Sequence, residues 1–365
     1  MRLALWVVGA YVASERRIPH PCHFEEARAG WSALPVQHED GIAFKLIGVW
    51  ERWDGCWYAK IATYGYESDG STAFFPLYPL LMRLVAFVTG DVVVAGMLIS
   101  LVATVAALWG LHRLVSLDFP EAVARRAMLL VAIFPSALFL LAPFTEALFL
   151  ALSVWCLYFA RGAAWPAAAA LGLLAAITRP VGAFLVLPLL WLAYRELRDR
   201  GPRRAAMPVL AAAAPAAGAA AYALYSEVGA GRSLFDAARI WGSASFQPPW
   251  DVIGASLDWT LDRGDPLQAL NLALLVGSVA LFALGMRRLP VEQALYALPH
   301  LALLSVRILP TPLTSTSRYL LIVFPLFVVL ALVLGERRAR WSWAIASLLL
   351  LGLLAHAFAR GDFVA

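Results

Sequence analysis

Lysine is almost missing from this chain. Lys45 and Lys60 are the two in 365 residues, and arginine supplies the rest of the positive charge. Asn271 is the sole asparagine. With so much alanine, this is the bias of a GC-rich genome, so the choice of arginine over lysine at any one position says little. Charged residues make up 15% of the chain, against about 25% in soluble domains. Together with 62% hydrophobic residues and a mean hydropathy of +0.74, this excludes an ordinary soluble domain. Cys22, Cys56 and Cys156 form no CxxC pair and no disulfide framework. The "HPCH" cluster (His20, Cys22, His23) matches no standard metal spacing and reads as a solvated loop. No P-loop is present, which argues against an ATP-driven pump. The net charge of +5 sits in short basic clusters between apolar runs. That pattern is topological and not a nucleic-acid footprint.

What is abundant is apolar sequence in runs that approach the roughly 20 residues a spanning helix needs. Such runs occupy 92–111, 127–142, 147–160, 163–178, 181–194, 205–225, 266–285, 290–308, 319–334 and 341–359, with 3–13 as a short first helix. The expectation is one all-α, multispan membrane domain over 1–365 with about eleven transmembrane helices. Five basic clusters (Arg113/Arg125/Arg126, Arg161, Arg195–Arg204, Arg287/Arg288 and Arg337–Arg340) then fall on one side, which the arginine excess marks as cytoplasmic. Facing outward are a first loop, 14–91, and a second large loop, 226–265. Residues 73–89, with Pro76, Pro79 and Arg83, read as an interfacial or re-entrant helix within the first loop.

In that first loop stands "RWDGCWYAKIATYGY" (52–66), two tryptophans and three tyrosines around Asp54. A helix from about Gly55 to Tyr64 would put Trp53, Trp57, Ile61 and Tyr64 on one face, as expected at a membrane interface. Asp54 would then be its N-cap, and the local pattern alone is that of a cap. The other outward groups point to a site. Arg179 and Arg318 each stand at the outer end of a span, and Glu146 begins one. Charged groups at such depth face cavities or partners, although either arginine could also snorkel to lipid headgroups. Glu67 and Asp69, in "YESDGS", default to solvation. His300 reads as a hydrogen-bonded core histidine.

The run "RWDGCWYAKIATYGY…STAFFPLYPLLMRL" resembles the start of the bacterial members of the PIG-V-like mannosyltransferase family, relatives of the enzyme that adds the second mannose to glycosylphosphatidylinositol. The matching positions are Trp53, Asp54, Trp57, Tyr58, Gly65, Tyr66 and residues 73–80. "FPSALFLLAPFTEALFLAL" (134–152), "AAITRPVGAFLVLPL" (175–189), "LFDAARIWGSASFQPPW" (234–250) and "TSRYLLIVFPLF" (316–327) follow in the family's order, with Phe144 where a tyrosine is usual.

The resemblance implies a glycosyltransferase of the GT-C fold, with interfacial helices in the first external loop. It implies a polyprenyl-phosphate sugar donor, a mannosyl group by preference, and a lipid or glycan acceptor. The site would open on the outer face of a bacterial plasma membrane. Asp54 takes the place of the base in an inverting displacement, and Arg318 and Arg179 hold the donor phosphate. Trp53, Trp57, Tyr58 and Tyr66 wall the sugar, while Glu146, Tyr319 and Trp241 contact substrate. No metal or other cofactor is expected, and no nucleic-acid partner. The alternative is a flippase or transporter of polyprenyl-linked sugars. It needs the same phosphate site but not the base, and no internal repeat supports it.

Overall fold

The computed structural model describes residues 2–15, 22, 38, 41–67, 69–201, 206–229, 236–237, 245–309 and 311–364. In chain order the α-helices are α1 (Arg2–Glu15), α2 (Gly41–Leu46), α3 (Asp54–Tyr64), α4 (Leu77–Thr89), α5 (Val92–Val115), α6 (Glu121–Ala132), α7 (Glu146–Arg161) and α8 (Trp165–Ala176). They continue with α9 (Val186–Arg200), α10 (Ala206–Val228), α11 (Pro249–Arg263), α12 (Pro266–Gly285), α13 (Val291–Val306), α14 (Thr316–Leu320), α15 (Phe324–Val333) and α16 (Arg337–Arg360). Three short antiparallel strands, β1 (Ser245–Phe246), β2 (Arg307–Leu309) and β3 (Thr311–Pro312), pair in the order β1-β2-β3, with Ser245 opposite Ile308 and Leu309 opposite Thr311.

This is a membrane protein. Among the described residues, five helical segments are long and apolar enough to cross a bilayer: Val92–Val115, Pro180–Arg200, Ala206–Val228, Pro266–Arg288 and Arg337–Arg360. Their outer faces are apolar, as a lipid solvent requires: Val102, Val105, Leu224, Leu284 and Leu353 are all exposed. Helix ends are set by the sequence. Asp91 caps α5, its Oδ1 accepting from the N–H groups of Val93 and Val94, and Asp265 does the same for α12 ahead of Pro266. Small residues allow close helix approach: a Cβ on Gly110 of α5 would lie 2.7 Å from the Trp155 indole nitrogen of α7.

Several apolar runs that read as single spans are broken. The run 127–142 is the end of α6, then turns and a 3-10 stretch at Ala137–Leu140. The run 181–194 begins as a 3-10 turn, Pro180–Leu185, and 319–334 unwinds between α14 and α15. Prolines 135, 143, 180 and 325 stand at these breaks. Non-helical backbone at membrane depth must be enclosed in protein and paired, and it is. Ala137–Leu140 and Leu321–Val323 are completely buried. Thr104 Oγ1 donates to Leu140 O at 2.8 Å, Ser136 Oγ to Ser317 O at 2.7 Å, and Tyr296 Oη to Ile322 O at 3.0 Å. Asn271, the lone asparagine, accepts the Ser317 N–H at 3.1 Å.

The arginine clusters meet at one end of the bundle. Arg161 bridges Asp118 and Glu292 there, beside Arg195 and Arg288, and Arg126 donates to Leu334 O just before α16. Helix α7 runs from Glu146 to that end at Arg161, so Glu146 lies at the opposite end.

Three sequence expectations about the first loop are corrected. Cys22 and Cys56 form a disulfide across 34 residues, and Cys22 is fully buried, so Cys22 stands in no solvated loop; His20 and His23 lie outside the described residues. A disulfide partner this distant carries no local spacing signal. Asp69 is not left to solvent, because it is buried and forms an ion pair with buried Lys60, while Glu67 pairs with the same lysine and stays exposed, as expected. Burial would raise the Asp69 carboxyl, but Lys60 and two hydrogen bonds from Ser71 outweigh it and hold the group below its usual range. The same acids outweigh burial at Lys60 and raise its ammonium. Helix α3 itself packs among α4 and α5 with Trp57 and Ile61 buried, and Tyr64 is exposed.

Candidate functional site

Asp54 is the first residue of α3, and Trp53 occupies the cap position without a side-chain cap. Among the described residues no backbone N–H bonds to the Asp54 carboxylate. It turns instead to Arg318, whose Nη1 lies 2.6 Å from Oδ2. The turn is backbone-strained: Trp53 has φ +52°, a left-handed value costly for a bulky side chain. Leu313 and Ser315, just before α14, share this feature with φ +54° and +63°. Both strained turns border one cavity.

Beneath Asp54 lies a buried ionic chain. Arg318 Nε and Arg179 Nη1 both donate to Glu146 Oε1, in the first turn of α7. Glu146 has no exposed surface, and Arg179 and Arg318 are buried. Charges this far from water persist only when paired and hydrogen-bonded. Arg179 also donates to Thr145 Oγ1 at 2.9 Å, and the Tyr58 hydroxyl stands 3.5 Å from the same oxygen. Phe144, at the usual tyrosine position, lies under the Arg318 guanidinium at 4.7 Å, with Phe139 at 5.4 Å.

Above this floor is a cavity of about 770 Å³ lined by residues of α3, the 73–75 turn, the 178–184 break and the 307–319 segment. Trp53, Asp54, Tyr58, Arg179, Arg318 and Tyr319 line it, so most of the residues expected from sequence share one space. Asp54 keeps 29% of its side chain exposed and is the sole carboxylate on the wall among the described residues. Glu146 lies below the surface and acts on the arginines. Trp57 stands behind the wall, stacked on Phe74 at 5.5 Å. Tyr66 is also behind it, donating to Phe74 O at 2.8 Å and lining a separate cavity of about 450 Å³ with Tyr222 and Tyr225. Trp241 lies outside the described residues. His300 is a core residue, with its Nδ1 2.7 Å from Tyr296 O. Among the described residues no three His, Cys, Asp or Glu side chains cluster as metal ligands would.

Sequence reasoning missed Arg307, Thr145 and Phe363. Phe363 follows α16 and meets Trp53 edge-on at 5.1 Å, closing the cavity from the C-terminal side. Arg307 had a usable signal, since it stands at the end of an apolar run as Arg179 and Arg318 do.

The family described as mannosyltransferase (PIG-V) matches residues 24–214, just over half of the chain. No curated protein matches it. Among solved structures, the chain is similar to the Archaeoglobus fulgidus oligosaccharyltransferase AglB in complex with an inhibitory peptide and a dolichol-phosphate. The TM-score is 0.44 at 13% identity, over 100% of this chain and 56% of that one. A second Archaeoglobus fulgidus oligosaccharyltransferase structure, a complex with Zn and sulfate, gives 0.40 at 14% identity over 98% and 53%. The chain spans about half the length of these enzymes.

Proposed function

The chain belongs to the PIG-V mannosyltransferase family, and from that premise we propose that it is an inverting glycosyltransferase with a polyprenyl-phosphate sugar donor, mannosyl by preference. The observation that carries the reading is a cavity-facing carboxylate, Asp54, the single one among the described residues, set over a floor of buried arginines. The acceptor, a lipid or glycan hydroxyl, gives its proton to Asp54 as its oxygen attacks the anomeric carbon. The bond from that carbon to the phosphate oxygen breaks on the opposite face, and polyprenyl phosphate leaves with the electron pair. Arg318 orients the carboxylate, and Arg318 and Arg179 give the cavity a fixed positive potential where the leaving charge develops. Trp53, Tyr58, Phe74 and Tyr319 exclude water, whose attack on the donor is the competing reaction.

An outward-facing site is supported by two independent features. The Cys22–Cys56 disulfide is anchored on α3, two residues from Asp54, and such bonds persist in oxidising compartments. The arginine clusters gather at the other end of the bundle, as cytoplasmic ends do. On this reading the short helices are crossings completed by the buried breaks. They give the eleven spans that the apolar runs suggest, with 14–91 and 226–265 as the outer loops.

The test is transfer by the purified, bilayer-reconstituted protein from radiolabelled polyprenyl-phosphate mannose to membrane lipid acceptors, followed by anomer analysis of the product. Label in a new product with inverted configuration supports the reading. Retained configuration overturns the single displacement. Donor that crosses the bilayer unconsumed overturns the enzyme reading in favour of a flippase.

A further inference from the structure

The cavity's charges do not balance. Three guanidiniums surround the ring of Tyr319: Arg307 at 4.6 Å from its centroid, Arg179 at 4.9 Å and Arg318 at 5.9 Å. Against them, among the described residues, stand two carboxylates, Glu146 and Asp54, and both are engaged by Arg179 or Arg318. Arg307 has no carboxylate partner among the described residues. Its one hydrogen bond to backbone is a long contact from Nη2 to Thr314 O at 3.3 Å. A third cation this close to two others is repelled by them, and a bound anion would relieve the repulsion.

The surroundings are those of an oxyanion site. Arg307 opens β2 opposite Phe246 of β1, so its backbone is fixed while its side chain reaches the cavity wall. The hydroxyls of Thr311 and Thr314, 2.6 Å apart, lie on the same wall. The strained turn at Leu313 and Ser315 places them there, and such strain is retained where the surrounding structure requires it.

We propose that Arg307, with the Thr311 hydroxyl, is the direct ligand of the donor's phosphate; the Thr314 hydroxyl donates to Thr311 O at 2.9 Å and holds that turn. Arg179 and Arg318, already engaged by carboxylates, act on it as fixed charges. The inference rests on the polyprenyl-phosphate reading above. It differs from the sequence expectation, which gave direct phosphate contact to Arg318 and Arg179. Arg307 bonds to Thr314 O and the Tyr319 side chain but to no carboxylate among the described residues, so it can turn two parallel N–H donors to phosphate oxygens more readily than a guanidinium locked to a carboxylate.

The experiment measures binding of polyprenyl phosphate and of the matching polyprenol to the full-length protein in nanodiscs, for wild type, Arg307→Gln and Arg307→Lys. Each variant is first matched to wild type for thermal stability. Wild type should prefer the phosphate. Arg307→Gln should lose roughly ten- to a hundredfold of that preference, the scale of one charged hydrogen-bonded contact. Arg307→Lys should recover part of it, and in the transfer assay Arg307→Gln should raise the donor KM more than it lowers kcat. If Arg307→Gln keeps the wild-type preference, the inference is overturned while the donor reading stands. If wild type shows no preference for phosphate over alcohol, the donor reading falls and the inference falls with it.

Discussion

Glu146→Gln is the sharpest perturbation of the buried ionic chain. One oxygen, Oε1, accepts from both Arg179 and Arg318, and the residue has no exposed surface. The amide keeps the shape and loses the charge. Among the described residues it leaves Asp54, partly exposed, as the sole carboxylate beside three guanidiniums. Its NH2 would take the position of Oε2, which has no hydrogen-bond partner among the described residues, so a donor is buried without an acceptor. Breaking a buried pair by removing one partner costs about 3–5 kcal/mol. That corresponds to an unfolding midpoint lower by on the order of 10 °C. The assay is heating in detergent followed by size-exclusion chromatography of the surviving monodisperse fraction. Asp199→Asn, at the exposed Arg198–Asp199 pair, is the control and should leave the midpoint unchanged. A Glu146→Gln midpoint equal to that of wild type would refute the reasoning that this carboxylate holds both arginines.

Three further outcomes follow from the same geometry. Cys22→Ser/Cys56→Ser removes a cross-link closing 34 residues; chain entropy puts the loss at about 3–4 kcal/mol, readable as a lower midpoint, and alkylation of both thiols in unreduced wild type would contradict the disulfide. Asp69 is depressed, so its contribution is present above the unfolded value near pH 4 and is lost as pH falls through the lower folded value; Lys60 is raised, so its contribution is full below about pH 10 and is lost above it. Amide protection of residues 69–73, corrected for intrinsic exchange, should therefore be flat from about pH 5 to 9 and fall in acid; a fall near neutrality would contradict the Lys60–Asp69 pairing. Gly201→Cys, after α9 at the arginine-rich end, should react with an impermeant thiol reagent only after permeabilisation, and labelling from outside intact cells would invert the topology.

How much of this was legible in the sequence depends on the range of each signal. That the arginine clusters share one end of the bundle was legible, because arginines between apolar runs are a compositional pattern, and Arg161, Arg195 and Arg288 do meet there. The helix breaks at 133–145 and 321–323 were not. Their residues are as apolar as a span, and the hydrogen bonds that make a break tolerable come from Thr104 and Tyr296, distant in sequence. The segment around Asp54 showed a cap or a site. Only the approach of Arg318 across the fold separates the two, and no local pattern encodes it. Tyr66 and Trp57 were singled out for their aromatic crowding, yet crowding does not tell the lining of a cavity from its backing. Arg307 was passed over although it satisfied the criterion that selected Arg179 and Arg318.

The measurement that tests the central claim most directly is transfer by Asp54→Asn beside wild type, both reconstituted and both shown to bind polyprenyl phosphate. Asparagine keeps the shape and can still accept a hydrogen bond from Arg318, but it cannot take the acceptor's proton as a carboxylate does. Loss of transfer by about a hundredfold or more, with donor binding and stability retained, is the expected result. Transfer at the wild-type rate would contradict the account and leave Asp54 as a structural partner of Arg318.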